Sequence, residues 1–133
     1  MRTVFADSFY FFALLNDRDL AHERAVAFPQ SYRGRMVTTG WILIELGDGL
    51  ANLANRPAFL ATLDTLRADP NITVIGCGDE LLEAGINLFR QRPDKYWSLT
   101  DCLSFVVMQK EGIAEALTGD KHFEQAGFVA LLK

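Results

Sequence analysis

Four carboxylates, Asp7, Glu45, Asp101 and Asp120, stand where an alternating strand–helix chain would bring them to one edge. Asp7 closes the apolar run TVFAD, Asp101 opens a helical stretch in SLTDC, and Asp120 closes EALTGD. Glu45 interrupts WILIEL, with Trp41, Ile42, Leu43, Ile44 and Leu46 around it. A charge is costly to bury in such a run unless it is paired or meets a cation. Acids grouped without matching bases are the usual way to hold Mg²⁺ or Mn²⁺ through oxygen. A bound cation also reverses the local sign, so an acidic site can act on a phosphate backbone.

Each acid has a plainer reading. Asp7 is placed to cap the helix that follows it. Ser98-Leu99-Thr100-Asp101 matches an S-x-x-D capping box, and a carboxylate in a first helical turn stays ionised easily. Asp120 lies in TGDKHF, which reads as a turn. Glu45 is hardest to explain structurally. Asp48, three residues on, repels rather than supports it, and a structural partner would have to be an arginine such as Arg35 or Arg90. Asp48, Asp94 and Glu124 read as solvated acids, with Asp48 a candidate supporting contact. His122 reads as a surface or capping histidine. Lys95 and Lys121 flank site segments and could steer phosphate, although most such lysines only solvate a face.

The composition bounds the rest. A chain of 133 residues, half of them hydrophobic and ten of them Phe, has material for one domain with a real core. Its net charge of −4 is not that of a general nucleic-acid binder. Cys77 and Cys102 form no CxxC pair, and with His22 and His122 they give no zinc spacing. They read as two buried free thiols in a reducing cytoplasm. TVFADSFYFFALL carries Asp7 and is too short to span a bilayer, so neither a signal peptide nor a membrane anchor is expected.

The elements that must position the acids alternate. Strands are expected at 2–6, 36–39, 72–76, within 114–120 and at 128–132. Helices are expected at 8–15, 18–29 (ending at Pro29), 40–54, 57–67, 79–92 and from a Ser98 cap to about 111. Gly47 and Gly49 each cost a helix about 1 kcal/mol relative to Ala, and such glycines often mark close packing. The alternation implies an α/β fold: a mostly parallel five-stranded sheet with helices on both faces. Ligands then bind beyond the strand carboxyl ends, where Asp7 and Asp120 lie. The helix SFYFFALL and the Trp41 segment carry more large apolar side chains than one small core readily covers, which points to self-association.

Taken in order, the segments VFADSFYFFALL, VTTGWILIELGD, YWSLTDCLSFVVM and LTGDKHFEQAGF resemble the PIN-domain family, especially the VapC-like toxins of toxin–antitoxin pairs. The resemblance covers about residues 2–132. It implies a single PIN-like domain over 1–133 and a Mg²⁺- or Mn²⁺-dependent ribonuclease acting on an RNA substrate. It puts the catalytic and metal-holding acids at Asp7, Glu45, Asp101 and Asp120. It further implies a homodimer and a small cognate antitoxin, with a free-standing nuclease in RNA processing as the alternative. Lys121 and His122 stand where some members carry a further acid or Asn.

Two phosphoryl-transfer families fit less well. A haloacid-dehalogenase-type phosphatase needs a second Asp two residues after the first, where this chain has Phe9, and a receiver domain needs paired acids near its first strand. A non-catalytic interaction domain whose acids are only helix caps is the reading from a different class; specific Mn²⁺ affinity separates it from an enzyme.

Overall fold

Five short strands carry the apolar runs into one sheet. A computed structural model describes all residues, Met1–Lys133. The strands are β1 (Thr3–Ala6), β2 (Arg35–Thr39), β3 (Ile72–Ile75), β4 (Glu115–Leu117) and β5 (Val129–Ala130). Every pairing is parallel and the spatial order is β3-β2-β1-β4-β5. Seven helices connect them: α1 (Ser8–Leu15), α2 (His22–Ser31), α3 (Gly40–Gly49), α4 (Arg56–Ala68), α5 (Asp79–Gln91), α6 (Leu99–Glu111) and α7 (Lys121–Gln125). Parallel crossovers are right-handed. The chain therefore lays α1–α4 on one face as it steps from β1 to β3, and α5–α7 on the other as it returns through β4 to β5. The expected α/β sandwich is thus the observed one.

The core follows from this layering. Val4, Phe5 and Ala6 of the central strand are fully buried, as are Phe11, Ile42, Leu46, Phe105, Met108 and Phe123 from the helices. An aromatic chain runs through the α6–α7 face. Trp97 meets Phe105 edge-on at 5.0 Å, and Phe105 meets Phe123 at 4.9 Å. Such pairs add roughly 0.5–1.5 kcal/mol each beyond area burial. They also set the orientation of α6 and α7, and so of Asp101 and Asp120. Gly47 and Gly49 mark close packing as expected: a Cβ on Gly49 would lie 2.5 Å from the Phe12 ring, and one on Gly47 would lie 3.2 Å from Phe59.

Several expectations need correction. The second helix begins at His22, not 18, because Asn16 Oδ1 and Asp19 Oδ1 accept from the backbone of Arg18 and Ala21 and hold that stretch as turns. It continues through Pro29, whose missing donor costs one bond in the last turn. The third helix stops at Gly49 rather than 54, since Asn52 Oδ1 captures the Asn55 amide in a turn. TGDKHF is not only a turn: it leads into the short helix α7, which Asp120 caps. Cys77 is exposed; only Cys102 is buried. Helix α1 does not overfill the core. Tyr10 and Phe11 are buried and Phe9 and Phe12 pack against the core, so among these segments only Leu15 and Ile44 are left exposed. No helix is long and apolar enough to cross a membrane.

Candidate active site

The site lies where the sheet changes direction. From β1 the chain moves to β2 on one side, while β4 arrives on the other, so the carboxyl ends of β1 and β4 border a crevice. Ala6 stands opposite Leu117 in register, which brings the residues just after each strand side by side. Asp7 follows β1, and Thr118 and Asp120 follow β4. A cleft of about 440 Å³ opens there, lined by Asp7, Ser8, Glu45, Asp101, Asp120 and His122 among others. All four predicted acids therefore face one space.

Asp7 is 6% exposed. It occupies the position before α1, yet its side chain makes no capping bond, so the cap reading fails here. The Thr118 hydroxyl donates to Asp7 Oδ2 at 2.8 Å and accepts from the Asp120 amide at 3.1 Å, tying the two strand ends together. Burial pushes the Asp7 carboxyl up to about 7; the Thr118 bond opposes this, and the nearby Asp101 and Glu45 charges reinforce it.

Glu45 projects from α3, which Thr39 caps by accepting from the Ile42 amide. It is half-buried rather than sunk in an apolar run. Helical periodicity explains the difference: Ile42, Leu43 and Leu46 turn to the core while Ile44 and Glu45 turn away. Neither suggested arginine reaches it, because Arg35 contacts Thr73 and Arg90 contacts Asn87. Its partner is the Ser8 hydroxyl, which donates to Oε1.

Asp101 combines two roles. The capping box is real: Ser98 Oγ accepts from the Asp101 amide at 3.0 Å, and the Ser98 amide donates to Asp101 Oδ2 at 3.1 Å. Burial raises its pKa; the Ser98 amide opposes this, the Asp120 charge adds to it, and His122 opposes it. Asp120 caps α7 by accepting from the His122 amide at 2.9 Å. A Cβ on Gly119 would lie 2.6 Å from the Phe9 ring, so only glycine lets the β4–α7 turn settle this close to α1.

His122 is the member that sequence reasoning missed. Its Nδ1 lies 3.0 Å from Asp101 Oδ2 and 3.4 Å from Asp120 Oδ1. A carboxylate only accepts, so Nδ1–H donates to Asp101, and the approach to Asp120 is a looser electrostatic contact. With Asp101 and Asp120 it forms the one triad tight enough for its ligand atoms to lie within 4.8 Å of one another. Asp7 and Glu45 line the same cleft outside that triad. The contact with Asp101 spans 21 residues, so no local pattern announces it; the only signal was a histidine two residues after a strand-end acid. Asp48 is exposed and does not line the cleft.

One pattern unites the four acids. Each has one oxygen held by a protein donor: Asp7 Oδ2 by Thr118, Glu45 Oε1 by Ser8, Asp101 Oδ2 by Ser98 and His122, Asp120 Oδ1 by the His122 amide. No other hydrogen bond of good geometry reaches these carboxylates, although the Ser8 amide approaches Asp7 closely enough to favour its ionised form slightly. No fully buried side-chain oxygen lacks a partner, so the free oxygen of Asp7 opens on the cleft. Neither Lys nor Arg lines this space. Four oriented carboxylates with a free oxygen each form a hard, anionic donor set of the kind that suits a divalent cation.

Comparison with known proteins agrees with this geometry. The family model described as PIN domain matches residues 4–129. The 23S rRNA-specific endonuclease VapC20 of Mycobacterium tuberculosis is 28% identical over 126 residues, covering 95% of both chains. The crystal structure of that VapC20, a sarcin–ricin loop cleaving toxin, superposes with a TM-score of 0.86 over 95% of this chain and 96% of the other. FitAcB from Neisseria gonorrhoeae (TM-score 0.67, 18% identical, 96% and 94% covered) and a toxin–antitoxin complex from Klebsiella pneumoniae (0.63, 13%, 89% and 87%) share the fold.

Proposed function

The chain belongs to the PIN-domain family, and on that premise we propose that it is an endoribonuclease. It hydrolyses RNA phosphodiester bonds with Mg²⁺ or Mn²⁺ held by Asp7, Glu45, Asp101 and Asp120. It acts as the toxin of a toxin–antitoxin pair in the cytoplasm. The observation that carries the reading is the cleft in which all four acids keep one oxygen free and no lysine or arginine answers them.

When bound, the cation lowers the pKa of a water and offsets charge that builds on the phosphate. The chain's own part is orientation. Thr118 and Ser8 fix the rotamers of Asp7 and Glu45, the Ser98 amide fixes Asp101, and His122 draws Asp101 and Asp120 together. Such supporting partners are worth roughly 10–100-fold in metal affinity or activity. The cap-only alternative accounts for Asp101 and Asp120, but it leaves Asp7 and Glu45 unexplained.

The test is cleavage of an RNA panel by purified protein, with the 23S rRNA sarcin–ricin loop included because VapC20 acts there. Activity should need Mg²⁺ or Mn²⁺ and disappear with chelator. A protein inert on the whole panel with Mn²⁺ overturns the nuclease reading. The neighbouring reading frame separates a toxin from a free-standing nuclease: a small DNA-binding-like neighbour is the cognate antitoxin. A homodimer is also part of the proposal, supported by the family resemblance; light scattering that shows a monomer at tens of micromolar counts against it.

A further inference from the structure

A second groove, of about 630 Å³, adjoins the acidic cleft. It runs between the end of α5 and the loop into α6, and its walls include Phe89, Arg90, Arg92, Lys95, Tyr96 and Trp97. Tyr96 lines both spaces, so the groove and the cleft meet at this side chain. We propose that this groove seats the unpaired stretch of RNA beside the scissile phosphate, with Tyr96 as the stacking platform for a base and Arg90 and Lys95 holding the flanking phosphates. The inference rests on the ribonuclease reading and deepens it: it says what feature of an RNA the enzyme grips.

Three observations lead there. First, Tyr96 is 96% exposed and its hydroxyl has no hydrogen bond, so the fold does not account for it. Its backbone is nonetheless anchored by its neighbour. The adjacent Trp97 is buried, donates from Nε1 to Gln125 Oε1 at 3.1 Å and packs edge-on against Phe105. Phe89, half-exposed across the groove, gives a second apolar surface. Second, the cations here are not equivalent. Arg92 is held by Asp94 through two bonds of 2.9 Å, with its guanidinium carbon 5.1 Å from the centre of the Trp97 ring, so it braces the wall. Arg90 contacts only the neutral Asn87, and the Lys95 ammonium has no ion pair, so both charges remain available. Third, a chain of net charge −4 with an acidic cleft repels a polyanion except where such cations lie. Exposed aromatic faces beside free cations are the chemistry that grips single strands, since each base offers a π-face and each phosphate a charge. A duplex hides its base faces in the stack and leaves Tyr96 without a role.

The test uses the whole protein in chelator, so that binding is read without cleavage. Fluorescence anisotropy is measured on a labelled hairpin RNA with an unpaired loop and on a fully paired duplex. Tyr96→Ala should weaken hairpin binding roughly five- to 150-fold, while Tyr96→Phe keeps it, because stacking uses the ring and not the hydroxyl. Arg90→Ala and Lys95→Ala should each reduce the slope of log affinity against log salt by about 0.7, the value for one phosphate on a single strand. Arg35→Ala, at the opposite ends of the strands, should leave the slope unchanged. With Mn²⁺ restored, Tyr96→Ala should raise KM more than it lowers kcat. The inference is overturned if Tyr96→Ala binds the hairpin as wild type does, if Tyr96→Phe loses as much as Tyr96→Ala, or if duplex and hairpin bind equally. A wild type that cleaves while Tyr96→Ala matches it in KM and kcat removes the groove and leaves the nuclease. A wild type that binds with the expected Tyr96 dependence but never cleaves removes the nuclease and leaves the groove.

Discussion

The two ends of β1 and β4 treat charge in opposite ways. At their amino ends Arg2 and Glu115 face each other in a two-bond ion pair of 2.8 and 2.9 Å, with the Arg2 guanidinium over the Tyr32 ring. At their carboxyl ends, Asp7 and Asp120 meet Glu45 and Asp101 with only hydroxyls, amides and one imidazole between them. The first arrangement neutralises itself and needs nothing further. The second is left anionic, and burial makes that costly enough to push Asp7 up to about 7. Charge that the fold itself needs is paired; charge left unpaired in a cleft is available for a ligand.

Activity should separate the ends most sharply. Asp7→Asn, Glu45→Gln and Asp101→Asn should each lower RNA cleavage by roughly 100-fold or more, beyond the effect of losing a supporting partner. Glu115→Gln should cleave as wild type does. An initial-rate assay with saturating Mn²⁺ measures all four, and an active Asp7→Asn would break the contrast. His122→Ala should fall between, losing roughly 10–100-fold, with part of the loss recovered at higher Mn²⁺.

Stability against pH comes next in size. The folded value of Asp7, about 7, lies above the unfolded carboxylate value of ~3.9. Between the two the folded state holds the extra proton, so metal-free stability is present at low pH and is lost as pH rises through about 7. Melts in chelator should therefore fall from about pH 4 to about pH 7 and level off above it, by an amount on the order of a few kcal/mol, and Asp7→Asn should flatten the curve. Cation binding needs the ionised carboxylate, so the stabilisation by Mg²⁺ should grow over the same range. A wild-type curve as flat as that of Asp7→Asn would show that the carboxyl is not perturbed.

A smaller effect distinguishes site from cap. Two charges ~5 Å apart at an effective dielectric of ~20 repel by about 3 kcal/mol, and solvent reduces that. Glu45→Gln should then stabilise the metal-free protein by about 1 kcal/mol and shrink the gain from Mg²⁺. Asp101→Asn also weakens a cap worth roughly 0.5–2 kcal/mol, so it should show no such gain. Thermal melts with chelator and with Mg²⁺ compare them; a Glu45→Gln that melts lower and gains as much from Mg²⁺ as wild type makes Glu45 structural. The smallest effect belongs to the amino end. Arg2 and Glu115 are partly exposed, so breaking that pair should cost at most about 1 kcal/mol, and less at high salt.

Much of this was legible in the chain because it is local. Helix α1 over 8–15 and the Ser98 cap with Asp101 came from hydrophobic period and capping chemistry, which neighbouring residues decide. The parallel sheet followed from alternation, and the four acids from strand-end placement. What failed was also physical. Polar side chains at Asn16, Asp19 and Asn52 turned helical patterns into turns, a competition that periodicity does not register. The burial of Glu45 was overestimated because an unbroken apolar run carries no information on which face of the helix meets the core. Order along the chain by itself determined which residue types are offered at the strand ends. Only the tertiary structure decided that His122 reaches Asp101, that Thr118 holds Asp7, and that Tyr96 stands between an acidic cleft and a basic groove. Those contacts join residues separated by tens of positions, and their geometry is set by how α6 and α7 pack on the sheet, which no short stretch of sequence encodes.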